Sequence, residues 1–225
     1  MTMTTTEADA GRVTPLSKTA RLMARHMTEA WHAPMFALVT EVDMTTALAR
    51  PRPQGVTITD VIVEACVGAL VDNPKLNAHF RDEAIVEYDD VNVGLAVASD
   101  KGLTVPVIHR AQTLDLAGIA ARRRDLIEKT RAGKLRVTEV TGGTFTVSNL
   151  GMFDVTRFTA IINPPQVAIL AVGSTIRRQV WNGGDPQWRP IAEFSLTSDH
   201  RAIDGAAAAG FLGALKKRLE RQDAA

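Results

Sequence analysis

Five histidines and one cysteine make a short catalytic inventory in a chain of 225 residues. His200 stands apart among them. It follows a strand-like segment, Phe194–Ser198, and precedes a helical one, in the run Ser198-Asp199-His200-Arg201-Ala202-Ile203-Asp204-Gly205. Strand-end turns present side chains to clefts, and an imidazole placed there can act as a general base near neutral pH. Asp204 lies four residues on, where it can cap the following helix and pin the loop that carries His200. Gly205 lets another backbone approach closely. A plain strand-to-helix corner with a capping Asp and a chance His would read the same way. A second stretch adds to the first: Gly142-Gly143-Thr144-Phe145-Thr146-Val147-Ser148-Asn149-Leu150-Gly151 is a strand flanked by glycines, with Ser148 near its end. A hydroxyl there can donate to an oxyanion or simply satisfy a turn backbone.

The remaining candidates are weaker. His26 and His32 sit among charges on or just after the first helix, and His79 lies just past a helix in Asn77-Ala78-His79-Phe80. These read as surface or hydrogen-bonded structural residues. His109, beside Arg110 at a strand end, fits either role. Cys66 lies inside the most apolar helix, where a thiol is an inert small hydrophobe. A thiolate nucleophile needs an electropositive, partly open setting. A single cysteine excludes an internal disulfide and a multi-cysteine metal site, and no metal is expected.

The elements that must position these residues follow from periodicity and breakers. A helix is expected from Leu16 to Trp31, with Pro15 in its first turn and Leu16, Ala20, Met23, Met27 and Ala30 on one face. Met35–Asp43 alternates as a strand, with Phe36, Leu38, Thr40 and Val42 on one face. A second helix, capped by Thr57 or Thr59 and stopped by Pro74, is apolar on most sides and so deeply buried. Ala84–Tyr88, Val91–Ala98 and Leu103–Ile108 read as strands, the last two joined by a turn at Asp100-Lys101-Gly102. A third helix opens at Thr113 or Asp115 and ends at Ala132 before Gly133. Its buried stripe is Leu116, Ile119, Ala120 and Ile127. Thr144–Asn149, Phe158–Ile162, Gln166–Gly173, Ile176–Trp181 and Arg189–Ser198 complete the strands, with Asn182-Gly183-Gly184-Asp185 as a hairpin turn. A last helix spans Asp204 to Arg221. Helices and strands mix throughout one unit, the pattern of a single α/β (or α+β) domain. Residues 1–13 read as a disordered lead and residues 14–225 as the domain.

Composition narrows the function classes. The chain is 45% hydrophobic and 23% charged, with net charge +1, as expected of a soluble globular protein. A domain of this size buries about 70% of its unfolded surface. Near-neutral charge argues against an electrostatic grip on nucleic acid. The longest apolar run, Ala206–Leu215, is far short of the roughly 18 residues that a membrane span needs. The N-terminus lacks a secretory pattern, so a cytoplasmic protein is expected. Arginines outnumber lysines 19 to 7; guanidinium suits phosphates and carboxylates, although genomic composition yields the same bias.

Asp199-His200-Arg201-Ala202-Ile203-Asp204-Gly205-Ala206 resembles the active-site signature of the dihydrolipoamide acyltransferase (E2) catalytic domain of 2-oxoacid dehydrogenase complexes. Gly142–Gly151 and the run Phe158-Thr159-Ala160-Ile161-Ile162-Asn163-Pro164-Pro165-Gln166-Val167-Ala168-Ile169-Leu170 resemble that family's second signature. The opening helix and the strand ending Val42-Asp43-Met44-Thr45 match its beginning, so the likeness covers residues 14–221 in order. The related chloramphenicol acetyltransferases share the fold and the His-x-x-x-Asp-Gly core. They usually carry a second His before the catalytic one, and Asp199 favours the E2 branch. The resemblance implies a chloramphenicol acetyltransferase-like two-layer fold with a mixed sheet and packed helices.

It also implies a reaction. An acyl group moves between a dihydrolipoyl thiol and coenzyme A, which is a substrate rather than a resident cofactor. Thiols have a reference pKa of about 8.5 against about 6.5 for imidazole. His200 would take the thiol proton, Ser148 would donate to the tetrahedral oxyanion, and Asp204 would anchor the His200 loop and tautomer. By the family pattern Arg50 (or Arg52), Thr59, Asn149, Ile162 and Pro164 line the coenzyme A channel. The family places its site between subunits of a homotrimer, His from one chain and Ser from its neighbour. The sequence carries no lipoyl domain ahead of the first helix, so the lipoyl group is expected in trans, from a lipoyl-domain protein working with 2-oxoacid decarboxylase subunits. The polar ending Lys216–Ala225 predicts a bare trimer rather than a large cage. Two alternatives stand beside this reading: acylation of a small hydroxyl or amine from acyl-coenzyme A, and a non-catalytic scaffold that recruits dehydrogenase subunits.

Overall fold

The structure, a computed structural model, describes residues 11–99, 102–181 and 183–221. In chain order its elements are helix α1 (Lys18–Trp31), strand β1 (Met35–Asp43), short helix α2 (Thr45–Ala49) and helix α3 (Ile58–Asp72). Six short strands follow: β2 (Ala78–Arg81), β3 (Ala84–Glu87), β4 (Val93–Leu95), β5 (Val97–Ser99), β6 (Gly102–Thr104) and β7 (Val107–Ile108). Then come helix α4 (Leu116–Ala132), strands β8 (Phe145–Asn149), β9 (Ala168–Val172), β10 (Ile176–Val180) and β11 (Gln187–Asp199), and helix α5 (Gly205–Glu220).

Side-chain chemistry sets the helix starts. The Ala20 amide donates to Ser17 Oγ at 3.1 Å, so α1 begins at Lys18 and Pro15 lies outside it. At α3 the Thr57 amide donates to Asp60 Oδ2 at 2.7 Å. Asp115 accepts from the Gly118 amide at 2.7 Å, and Asp204 from the Ala207 amide at 2.8 Å. Each carboxylate or hydroxyl satisfies an amide that has no partner within its helix. Gly133, at φ 66, closes α4 in the left-handed conformation that favours glycine.

The main sheet has seven strands in the order β1-β11-β9-β8-β4-β7, with β10 also pairing with β11. β1 and β9 both run antiparallel to β11, whereas β8 lies parallel to β9 and to β4. Val42, Phe145, Val147, Leu170, Phe194 and Leu196 meet the apolar sides of α3, α4 and α5 in one core. Nine residues of α3 are buried, as its all-round apolar sequence requires.

Some expected elements take another form. Phe158–Ile162 is not a strand. It leads into Asn163-Pro164-Pro165, where proline supplies no ladder amide, and Ile162 packs instead against Ala30, Ala33 and Ile169. Val91–Ala98 and Leu103–Ile108 each divide in two: β4 and β7 join the main sheet, whereas β5 and β6 form a separate ribbon. Pro106 marks the second break. The turn residues Asp100 and Lys101 lie outside the described residues, as do Asn182 of the β10–β11 hairpin, residues 1–10 of the expected lead and the final residues 222–225. On α4 the core position falls to Leu126 and Thr130, and Ile127 is half-buried. β2 and α2 are additional elements.

Asp60 ties the start of α3 to α4. Its carboxylate is fully buried and takes two bonds from Arg123, Nε at 2.6 Å and Nη2 at 3.0 Å. Removing one partner of a buried pair strands the other charge. Asp60→Ala should lower unfolding free energy by about 3–5 kcal/mol, measured by denaturant melts; a change below 1 kcal/mol would show that the pair does not hold α3 to α4.

Candidate active site

β11 ends at Asp199, which is 1% exposed. Arg201 folds back onto it: the Arg201 amide donates to Asp199 Oδ1 at 3.0 Å, and its guanidinium reaches Oδ2 at 2.7 Å. The amides of Ala202 and Ile203 donate to the Asp199 carbonyl at 3.1 and 2.9 Å. The Arg201 guanidinium also lies 4.3 Å from the centre of the Phe80 ring, a cation–π contact that fixes its plane. The turn between Asp199 and Arg201 can therefore barely pivot, and His200 is its projecting residue. The His200 amide donates to the Pro34 carbonyl at 2.9 Å. Its ring packs on Phe36 with centroids 4.5 Å apart, and the side chain is exposed.

Asp204 bonds to the helix rather than to the imidazole. Its carboxyl is held below the ordinary carboxylate range, first by the Ala207 amide, then by the Ala206 amide and the charges of Lys75 and His200. Its influence on His200 is electrostatic and, through the α5 cap, positional. Ile162 and Pro164 belong to the same end of the molecule. Ile162 is buried beside Ala33 and Ile169. The carbonyl of Pro165 accepts from the Phe80 amide at 2.8 Å, next to the Arg201 contact.

The other candidates gather at the opposite end of the sheet. Ser148 is half-buried near the end of β8, followed by Asn149. Asn149 Nδ2 donates to Thr59 Oγ1 at 3.2 Å, and Asn149 Oδ1 accepts the Gly151 amide at 2.8 Å. The loop after β8 folds tightly onto the end of β9: a Cβ at Gly173 would sit 2.0 Å from the Thr156 carbonyl oxygen, so only glycine fits there. Farther along α3, Arg50 is ion-paired with Glu64.

Strand polarity separates the two groups. Ser148 pairs with Ala171, and Ala171 with Ser195. His200, the residue after β11, follows Ser195 by five positions, about 17 Å at 3.4 Å per residue. Two strand spacings of about 4.8 Å separate β8 from β11. Within one chain the backbone positions of Ser148 and His200 are thus about 19 Å apart, too far for the two side chains to meet at one reacting centre.

The other histidines and the cysteine have structural settings. His79, 4% exposed, donates from Nε2 to the Gly143 carbonyl and accepts from Tyr88 Oη, both at 2.9 Å. Burial lowers its pKa first, with Arg81 adding to the shift against the Gly143 bond. His26 and His32 are exposed, and His109 bonds to the Thr138 carbonyl at 2.9 Å. Cys66 is fully buried, and burial pushes its thiol far up. Among the described residues there is no His, Cys, Asp and Glu group able to hold a metal ion. The composition and motifs did not single out Phe36, Phe80 or the Asp199–Arg201 clamp. Acid and base flanking His200 were the available signal for the clamp; the two phenylalanines come from elements distant in sequence.

Known proteins are similar to this chain in sequence and fold. The family described as 2-oxoacid dehydrogenases acyltransferase (catalytic domain) matches residues 8–225. The dihydrolipoyllysine-residue acetyltransferase component of the mitochondrial pyruvate dehydrogenase complex of Schizosaccharomyces pombe is 39% identical over 219 residues, covering 92% of this chain and 45% of that protein. The chain thus spans less than half the length of that relative. A probable dihydrolipoamide acetyltransferase from Listeria monocytogenes superposes with a TM-score of 0.91 at 31% identity, covering 97% of this chain and 99% of that one. Azotobacter vinelandii dihydrolipoamide acetyltransferase gives 0.90 at 31% identity, covering 97% and 96%, in work on the role of a serine, a histidine and an asparagine in its catalytic mechanism. A chloramphenicol acetyltransferase shares the fold, with a TM-score of 0.60 at 16% identity over 87% of this chain and 94% of that one. Expected signature, fold and family agree, and the chain belongs to the 2-oxoacid dehydrogenase acyltransferases, as their catalytic domain.

Proposed function

We propose that this chain transfers an acyl group between coenzyme A and a dihydrolipoyl thiol, at sites assembled between the subunits of a homotrimer. The separation of His200 from Ser148 on oppositely directed strands carries this reading, because a site that uses both must draw them from two chains. The three positions support it further. Ser148, His200 and Asp204 are separated by the same intervals as the serine, histidine and asparagine studied in the Azotobacter enzyme. Asp204 stands where that enzyme has asparagine. Both side chains offer an oxygen to a helix amide, so capping is preserved while the charge differs.

In this mechanism His200 of one chain removes the proton from the attacking thiol as sulfur adds to the thioester carbonyl. Ser148 of the neighbour donates to the oxygen on which negative charge develops. The tetrahedral species collapses, the carbon–sulfur bond to the departing thiol breaks, and His200 returns the proton to that sulfur. One thioester is consumed and one formed, so the reaction runs in either direction. Arg50, Thr59 and Asn149 on the serine side, with Ile162 and Pro164 on the histidine side, border the coenzyme A path in this reading. Lipoyl-domain and 2-oxoacid decarboxylase proteins are the partners it requires.

His200→Ala should reduce transfer from acetyl-coenzyme A to free dihydrolipoamide by about 10²–10⁴-fold, and Ser148→Ala by about 10²–10³-fold in kcat, with folding intact by thermal melt. Unchanged turnover in His200→Ala would end the acyltransferase reading. Co-expressing the two inactive variants should restore activity, since random assembly leaves about one site in four with both native groups. No recovery in verified mixed trimers, or a fully active monomer on dilution, would refute the inter-subunit site. Arg201→Lys keeps the charge but loses the two-pronged grip on Asp199; kcat should fall ~10–100-fold as the imidazole loses its orientation.

A further inference from the structure

Just past Ser148, a single turn of 3₁₀ helix, Gly151–Phe153, follows β8. It holds Met152 and Phe153 out in solvent, each 66% exposed. The turn is not slack. The Gly151 amide donates to Asn149 Oδ1 at 2.8 Å, the Ser174 hydroxyl to the Gly151 carbonyl at 3.0 Å, and the Phe153 amide to the Leu150 carbonyl at 2.9 Å. Two adjacent large apolar side chains on a fixed backbone suit a contact, because little ordering cost remains on binding. A matching hollow adjoins His200. It is an apolar groove of about 370 Å³ walled by Trp31, Met35, Ala37, Ala160 and Ile161, with Thr197 of β11 between the walls. Phe36, on which the His200 ring packs, also lines it. Thr197 is 5% exposed, and its hydroxyl has no hydrogen-bond partner. A buried hydroxyl left unpaired is costly, and a polar group arriving in the groove would remove that cost.

Resting on the inter-subunit site proposed above, we infer that Met152 and Phe153 of one chain seat in this groove of the next, and that this contact sets Ser148 against His200. Position argues for the pairing. Cross-strand register puts Ser148, Ala171, Ser195 and Val39 on one face of the sheet. Thr197 and Ala37, two residues along their strands, share that face, whereas Phe194 and Leu196 point to the helices. The turn lies three to five residues beyond Ser148 and the groove lies against His200, so joining turn to groove carries the hydroxyl of one chain toward the imidazole of another. A chain's own turn does not fill its groove. Ala37 is three strand spacings and three residues from Asn149, where the turn begins, about 18 Å. Projection and hollow are different surfaces on the same chain. Such a head-to-tail contact repeats around a ring, as a trimer needs, whereas a self-complementary patch would stop at a dimer.

Two measurements on the intact chain test this. In sedimentation equilibrium, Phe153→Asp should raise the concentration at which trimers dissociate at least about 100-fold, with a native far-UV circular dichroism spectrum, and transfer to dihydrolipoamide should fall in step with the trimer. Phe153→Leu should keep both. Ala37→Cys/Phe153→Cys should cross-link on mild oxidation into covalent dimers and trimers on non-reducing gels, and neither single variant should do so. Cys66 is fully buried and takes no part, and the two new thiols are too far apart to pair within one chain. Trimers unaffected by Phe153→Asp, together with no cross-link, overturn this inference and leave the inter-subunit site standing. A trimer kept in Phe153→Asp while Ala37→Trp raises KM for dihydrolipoamide assigns the groove to substrate and overturns it equally. A fully active wild-type monomer overturns the inter-subunit site as well.

Discussion

Everything about the site depends on one reversal of direction in the sheet. β11 is antiparallel to β9, and β9 is parallel to β8. The C-terminal ends of β11 and β8 therefore face opposite edges of the molecule. Functional residues favour strand ends because the backbone there is held while the side chain is free. Here that preference places an imidazole at one edge and a hydroxyl at the other. No side-chain rotation closes a gap of about 19 Å, which is why the proposed site draws its two groups from two chains.

Each half is rigid for its own reasons. On the histidine side the Asp199–Arg201 pair is held from two directions, by three hydrogen-bonding groups of the turn and by the face of Phe80. The cost of keeping a buried carboxylate is offset by the two-pronged Arg201 guanidinium and by the Arg201 amide. On the serine side Asn149 bridges Thr59 and Gly151, and so links β8 to the first turn of α3. That turn is fixed in its own right by Asp60, Thr57 and Arg123. His79 ties β2 to the Gly142–Gly143 segment that feeds β8. In the proposed reaction such ties would matter because positional errors near 1 Å cost rate.

The arginine excess divides along similar lines. Arg123, Arg157, Arg178 and Arg201 are engaged with carboxylates that are nearly or fully buried, Asp60, Glu193 and Asp199. Guanidinium is suited to such pairs because its donors are fixed in a plane. Arg50 and Arg218 also have carboxylate partners, but at the edge of an open cleft. The compositional bias thus covers two uses, internal struts and a basic wall.

Much of the architecture was legible from local pattern. The strand Met35–Asp43 has its expected bounds, and the helices near 58–72, 116–132 and 205–220 end at their capping residues, because breakers and caps act within a few positions. His200, Asp204 and Ser148 stood out through their run and spacing, and the family signature joined them. Misread segments were those whose state depends on distant neighbours. Phe158–Ile162 has strand composition but finds no ladder, and Val91–Ala98 is shared between two sheets. Leu126 takes the core position expected of Ile127, which is only half-buried. The sequence by itself determined the chemical groups, their local turns and the family. Only the tertiary structure decided that imidazole and hydroxyl lie at opposite edges, because strand order and direction arise from contacts between segments far apart in the chain, which no local spacing encodes.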